Sequence, residues 1–511
     1  MSQNAHERAG ATVSRRTILK TTGLTALLAP FAAAGAKEAS AKTPEWKETF
    51  DIVVVGSGFT GLAAAYSALE NGAKSVLVLE KMPVFGGNSV INAGQVSLAC
   101  SAMQKEKGIE DSPELMKKDM FAAGQNLNHE ALVDALVHEA PACYDMMVDC
   151  GVEFSDEVIR LGGHSAPRTI FASNYSGGGI CVPMHKALKK RGVVFRNRSF
   201  VSDIVVENDA VVGVTVVPQY DFDQRQGGAA YSVRATRGVV IASGGWGADR
   251  EFIATSMPPY RTLECTSQKG ATSEMLRTLL RLGAMPVMLD IYQIGPWATP
   301  DEFGAGSASV FADYIFAEGI MVDARNGRRF VNELASRRVR SEAEMKCLDK
   351  DGNPVFPFGC CSEATTKNRP GFEASFREGT TKRTESVEEL AALYGAPVDA
   401  LKKQIEEWNA MVKAGKDEAF GKPIDKPILL EPPFYSIRFW PKLHYCMGGV
   451  GITAKAEVIG AQTCKPIPGL YAAGEITGGV HGMDRLGSCS STDCLAMGRV
   501  AGRNAALRKI A

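Results

Sequence analysis

The sequence lacks a net charge: 57 lysines and arginines stand against 57 aspartates and glutamates. A balanced chain has no electrostatic footprint for a polyanion, which argues against nucleic-acid binding and favours a small-molecule enzyme. It lacks a Cys-x-x-Cys-His motif, which excludes a covalently attached c-type haem, so electrons must arrive from elsewhere. The 12 cysteines are scattered through 511 residues, too large a chain to need staples, so buried thiols are expected rather than a disulfide framework. Adjacent Cys360 and Cys361, and the near pair Cys489 and Cys494, raise a redox or metal role, but such spacing is weak evidence and no metal site is predicted. The apolar run Thr21–Ala34 is too short to span a membrane.

That run follows Ser14-Arg15-Arg16-Thr17-Ile18-Leu19-Lys20 and precedes Ala39-Ser40-Ala41, a small-x-small site, so residues 1–41 read as a signal peptide. The paired arginines resemble the twin-arginine export signal, which carries folded proteins and suits a chain that loads a cofactor before leaving the cytoplasm. A periplasmic location is the expectation; an ordinary secretion signal or an uncleaved anchor are the alternatives. Cleavage would remove Arg8, Arg15, Arg16, Lys20 and Lys37 against Glu7 and Glu38, leaving a slightly acidic chain.

With 45% hydrophobic residues the chain can bury a large core and split into two or three domains. Phe50–Val55 reads as a buried strand running into Gly56-Ser57-Gly58-Phe59-Thr60-Gly61; a helix follows over Leu62–Asn71, and Ser75–Glu80 is a second strand. In this βαβ setting Gly56 permits the tight turn, Gly58 lets a pyrophosphate approach, and Gly61 lets helix pack on strand. Glu80 follows at about the separation, roughly 20 residues, at which an acid grips a ribose hydroxyl. Three more glycine-rich loops repeat the theme: Phe85-Gly86-Gly87-Asn88-Ser89, Gly238–Gly245, and the stretch Gly469–Ser488, whose strand feeds a turn carrying Glu475 and Arg485.

From Phe50 to the C-terminus the chain resembles the flavoprotein family of fumarate reductases and succinate dehydrogenases, most closely the soluble, exported flavocytochrome-type enoate reductase branch, without a haem domain. Asp111–Met116, Gly124-Gln125-Asn126, Arg329–Glu333, Pro432–Tyr435 and Met447–Val450 carry the likeness in order. The resemblance implies an α/β fold, with a discontinuous Rossmann-like FAD-binding domain (42–290 and 428–511) and an inserted, mobile α+β capping domain (291–427). The amphipathic run Val387–Lys413, broken at Gly395-Ala396-Pro397, suits cap helices. Non-covalent FAD is implied on Gly56, Gly58, Gly61, Glu80, Gly86, Gly87, Asn88, Ser89, Gly94, Gly244, Gly245, Gly474, Glu475 and Ser491.

The chemistry implied is two-electron reduction of an activated carbon–carbon double bond: hydride from flavin N5 to the β carbon and a proton from a side chain to the α carbon. Arg337 falls on the family's proton donor, Arg485 on its carboxylate clamp, and His481 and Asp484 order the loop. The planar guanidinium fork suits a carboxylate. The departures bear on substrate. Where fumarate reductases have a histidine and proline after Tyr292-Gln293, this chain has Gly295-Pro296; a threonine and glutamate that bind the second carboxylate and relay protons are replaced within Ser309–Asp313; the histidine before Met447 becomes Tyr445, with His444 beside it. Losing those partners would exclude a second carboxylate. Trp297, Phe311 and Tyr445 would make that end apolar, with Trp297 and Phe311 as ordinary cap-core aromatics the alternative. Arg168 is expected near the same cavity or at the surface.

The expectation is a periplasmic FAD-dependent reductase of an α,β-unsaturated monocarboxylate, fed by a separate cytochrome c or membrane quinol-oxidising partner. A ketone or ketosteroid dehydrogenase using Tyr445 as acid or base, a fumarate reductase proper, and a non-catalytic flavin electron-transfer subunit stand as alternatives.

Overall fold

The computed structural model describes residues 45–161 and 163–509; the expected leader, 1–41, lies outside the described residues. A parallel sheet organises the larger lobe, in the order Pro466–Ala472, Tyr231–Ile241, Trp46–Val55, Val76–Leu79, Val194–Arg196. Its central strands are continuous apolar runs because both faces are covered: Ile52, Val53, Val54 and Val76–Leu79 are almost fully buried. Strands Phe200–Glu207 and Ala210–Val217 form a hairpin that adds antiparallel to Tyr231–Ile241. The helix after the first strand spans Phe59–Glu70, three residues earlier than the pattern predicts, because Gly58 is its N-cap. Helix Cys489–Leu507 lies against it backbone to backbone: a Cβ on Gly498 would stand 2.7 Å from the Thr60 carbonyl oxygen, and one on Gly502 2.1 Å from that of Ala64.

The smaller lobe is built on an antiparallel sheet in the order Arg328–Arg329, Ile320–Asp323, Phe358–Ser362, Phe434–Arg438, Lys382–Thr384, drawing one strand from beyond residue 427. Alternation along its strands feeds two apolar clusters. Cys361, Tyr435 and Ile437 join Phe311, Ile315 and Phe316 of helix Ala308–Glu318, whereas Phe358, Cys360 and Phe434 join Leu401, Ile405 and Trp408. The run Val387–Lys413 forms two helices, Val387–Tyr394 and Val398–Ala414, separated where Gly395 turns left-handed at φ 71°. A separate antiparallel pair, Tyr292–Gly295 with Lys442–Cys446, links the lobes and sets Gln293 opposite Tyr445.

Candidate active site

A cleft with about 1420 Å³ of empty space runs along the ends of the parallel strands, from Glu80 and Gly58 past Asn88, Gly245 and Glu475 to His444 and Tyr445. Gly56, at φ 109°, leaves no room for a side chain: a Cβ there would stand 2.2 Å from the Ala242 carbonyl oxygen. Helix Phe59–Glu70 starts on Gly58 with no acid in its first turn; the Phe59 amide donates to the Ser89 hydroxyl at 3.0 Å, and the positive dipole end faces this cleft, as a pyrophosphate requires. Glu80 is held at the strand end by the Ser57 hydroxyl, which donates to its Oε2 at 2.6 Å, and by the Met82 amide, which donates to Oε1 at 2.9 Å. Asn88 Oδ1 accepts the Gln268 amide at 2.8 Å, fixing the second loop. Glu475 is buried with its Oε1 accepting the Cys446 amide at 2.9 Å, and burial pushes its carboxyl up to about 6. Gly245 makes that packing feasible, since a Cβ would lie 2.5 Å from Glu475 Oε1. These residues fit FAD: two strand-end glycine turns, a helix N-terminus and an acid at each end.

Two arginines lie behind the Tyr445 end of the cleft, outside its wall. Arg485 is buried, its Nη1 donates to the Leu486 carbonyl at 3.1 Å, its Nε has no partner, and its guanidinium lies 4.9 Å over the Tyr445 ring. Arg337, at the first turn of helix Arg337–Glu344, donates from Nη1 to Gln293 Oε1 at 2.9 Å. Burial, then repulsion from Arg485, pulls its guanidinium down to about 9. Among the described residues neither arginine makes an ion pair with a carboxylate. Two neighbouring cations, one with a buried donor left unpaired, are costly unless an anion joins them. His444 donates to or accepts from Thr266 Oγ1 at 2.8 Å and is held neutral, well below the usual histidine range, by burial and by Arg337 and Arg485. The Tyr445 hydroxyl is buried without a partner, and burial pushes it well above the usual phenol range.

Gly295 and Trp297 explain the missing histidine. A Cβ on Gly295 would lie 2.9 Å from the indole, so the Trp297 ring occupies the room in which a side chain would project. The same ring packs edge-on to His444 at 4.7 Å and beneath the Arg337 guanidinium at 5.7 Å.

The predicted residues divide accordingly. Gly56, Gly58, Glu80, Gly87, Asn88, Ser89, Gly244, Gly245, Glu475 and Ser491 line the cleft; Gly61, Gly86, Gly94 and Gly474 are absent from its wall. Gly61 and Gly474 pack against Gly56 and Thr60, Gly86 gives its amide to the Ser57 hydroxyl at 2.9 Å, and Gly94 abuts the Ser176 backbone. Phe311 is fully buried in its own cluster rather than lining the cleft, its ring tilted against that of Phe372 at 5.1 Å. Arg168 is neither at the cavity wall nor at the surface: it is fully buried and paired with Asp111 at 2.8 Å and Asp119 at 2.7 Å. Through His164, whose Nε2 meets the Gly487 carbonyl at 2.9 Å, that network braces the loop carrying Arg485. His481 sits 3.3 Å from Asp493, and Asp484 accepts from Gln293 Nε2 at 2.5 Å. Gln293 went unnoticed as a site residue, although it ties Arg337 to the Asp484-Arg485 loop; one amide in an apolar strand was its only signal. Thr266 gave none. All 12 cysteines are free thiols, with Cys360, Cys361 and Cys489 buried.

Residues 51–491 match the family described as FAD binding domain. The chain is 40% identical to the acrylate reductase flavoprotein subunit of Shewanella woodyi over 96% of this chain and 98% of that one. It is 32% identical to the fumarate reductase (cytochrome) of Shewanella frigidimarina, over 90% of this chain and 77% of the other. Its fold matches the open conformation of a flavocytochrome c3 fumarate reductase with a TM-score of 0.74 at 31% identity, covering 90% of this chain and 78% of that one. The chain therefore belongs to the FAD binding domain family, in its fumarate reductase branch, and is an FAD-dependent oxidoreductase.

Proposed function

We propose that this protein reduces the double bond of a short α,β-unsaturated monocarboxylate of the acrylate type, in the periplasm after twin-arginine export, with electrons from a separate cytochrome c or membrane quinol-oxidising partner. The observation that carries this reading is the pair Arg337 and Arg485, without an ion-pair partner among the described residues and lying behind the Tyr445 end of the cleft, with Trp297 over Gly295 on the side where a second carboxylate would need partners. Bound FAD supplies the hydride. Arg485 receives the substrate carboxylate, pairing its free Nε and stabilising charge that develops on the carboxylate side. Arg337 holds a proton on its guanidinium for the α carbon, and its lowered affinity for that proton makes it a better acid than an ordinary arginine. His444, neutral, and Tyr445 orient the substrate without adding charge, while Trp297 excludes water. The acrylate reductase relative, similar over nearly its whole length, supports the same substrate class.

The test is anaerobic reoxidation of reduced viologen by acrylate, methacrylate, crotonate, cinnamate, urocanate and fumarate. Turnover with monocarboxylates supports the reading; turnover with none of these acids contradicts it. The partnerless Tyr445 hydroxyl favours a second reading, a ketosteroid dehydrogenase. Consumption of an artificial acceptor with a ketosteroid would establish it, although two unpaired cations suit an anion better than a neutral ketone.

A further inference from the structure

A protein too large to enter the cleft can pass electrons into it only where the cleft wall is also the molecular surface. Ile91 is such a place, since it lines the cleft and is 53% exposed. It ends helix Gly87–Ile91, which is packed onto the start of helix Gly178–Lys190: the Gly177 amide donates to the Asn92 carbonyl at 2.8 Å, and a Cβ on Gly177 would collide with the Ser89 carbonyl oxygen. Just before the first of these helices, Phe85 stacks on His185 at 4.8 Å, and His185 lies 4.2 Å from Phe195. That stack holds the Val84 segment against the helix on which Val182 stands one turn before His185. Val84 is 66% exposed and Val182 61%. Neither lines the cleft, so a ligand filling it leaves both bare. Large apolar side chains left in water beside a site mark a place where another molecule settles.

Charge narrows the choice of that molecule. In a chain with 57 residues of each sign, the two stretches that build this surface, 81–105 and 158–202, contain no aspartate or glutamate. Val182, Lys186 and Lys189 follow one another at intervals of four and three, which puts them on one helix face. Both lysines are exposed, and among the described residues neither makes an ion pair, whereas Arg191 is neutralised by Glu70 and Asp149, and Arg196 by Glu48. A basic rim around exposed apolar side chains complements an acidic protein. An anionic bilayer would be held by the same charges, but it brings no electrons to Ile91.

We propose that the surface of Val84, Ile91, Val182, Lys186 and Lys189 is the landing site of a small acidic one-electron carrier protein, whose redox centre comes to rest against the cleft mouth at Ile91. This rests on the reading above, in which electrons arrive from a separate protein. Lys186 and Lys189 steer the encounter, and the valines form its dry centre. Two encounters, each oxidising one carrier by one electron, supply the two electrons that one double bond takes up with two protons, so two carriers are oxidised for each enoate reduced.

The experiment uses the FAD-loaded enzyme, the double variant Lys186→Glu/Lys189→Glu and the single variant Val182→Asp. Reduced flavodoxin serves as the acidic carrier, a basic cytochrome c as the control for binding, and phosphatidylglycerol vesicles as the anionic bilayer. Wild type should bind flavodoxin at low salt and release it as salt rises, and should not bind the cytochrome. Both variants should keep wild-type FAD content and viologen-driven acrylate turnover, yet bind flavodoxin at least about tenfold more weakly and lose a similar factor in flavodoxin-driven turnover. Wild-type flavodoxin affinity in the double variant, no flavodoxin binding by wild type, or capture by vesicles without capture of flavodoxin would each overturn the proposal. Failure of viologen to drive reduction of any enoate would instead refute the functional reading, while the binding measurements would still decide the surface.

Discussion

At the scale of single residues, burial and then the neighbouring Arg485 cation weaken the hold of Arg337 on its proton, while its hydrogen bond to Gln293 and the Trp297 face fix where the guanidinium lies. Arg337→Ala is expected to keep FAD and lose about 10²–10⁴ in kcat, the usual contribution of a positioned acid; wild-type turnover would remove the residue from the chemistry. The pH profile carries the same signature. Below about 9 the guanidinium is protonated and can donate; above it the acid is spent, so kcat should fall as pH passes about 9, where an ordinary arginine would hold its proton. His444, already neutral, should add no limb near pH 6.5. Trp297→Ala should open the space over Gly295 and lower KM for a bulkier acid such as cinnamate relative to acrylate; an unchanged ratio would make the indole a bystander. Arg337, Arg485 and Glu475 were legible in the sequence because they stand in ordered motifs. Gln293 and Thr266 were not, because their meaning lies in contacts to Asp484 and His444, 191 and 178 positions away.

At the scale of elements, the site depends on backbone approaching backbone. Gly56→Ala sets a methyl on the Ala242 carbonyl in a left-handed turn, and Gly245→Ala sets one on the Glu475 carboxylate. Both variants should be purified with FAD absorbance strongly depleted, and full flavin content in either would argue against the cleft as the cofactor's place. The ion-pair network beneath the Arg485 loop belongs to this scale too. Arg168→Ala leaves Asp111 and Asp119 buried and unpaired, so it should cost about 3–5 kcal/mol and show as a marked fall in Tm. The βαβ opening and the broken cap helices were readable from apolar period and turn residues. Arg168 was not, since an arginine between Pro167 and Thr169 gives no sign that two aspartates from one distant segment converge on it.

At the scale of the whole molecule, the two strands that join the lobes carry Gln293, Gly295, His444 and Tyr445, so any change in the angle between lobes acts on the substrate residues directly. The α/β architecture followed from the strand–glycine–helix pattern and the order of motifs. The cap sheet was harder to read, because its strand Phe434–Arg438 is paired through long-range register that no local period reports. The same distance effect hides the meeting of Arg337 with Arg485, which come together from segments 148 residues apart in the chain. The central claim is that this meeting selects a monocarboxylate. The measurement that tests it most directly is kcat/KM of the FAD-loaded enzyme for acrylate and for fumarate with the same reduced viologen. The account predicts acrylate ahead by at least about tenfold, the value of one lost polar partner; fumarate as the better substrate would contradict it.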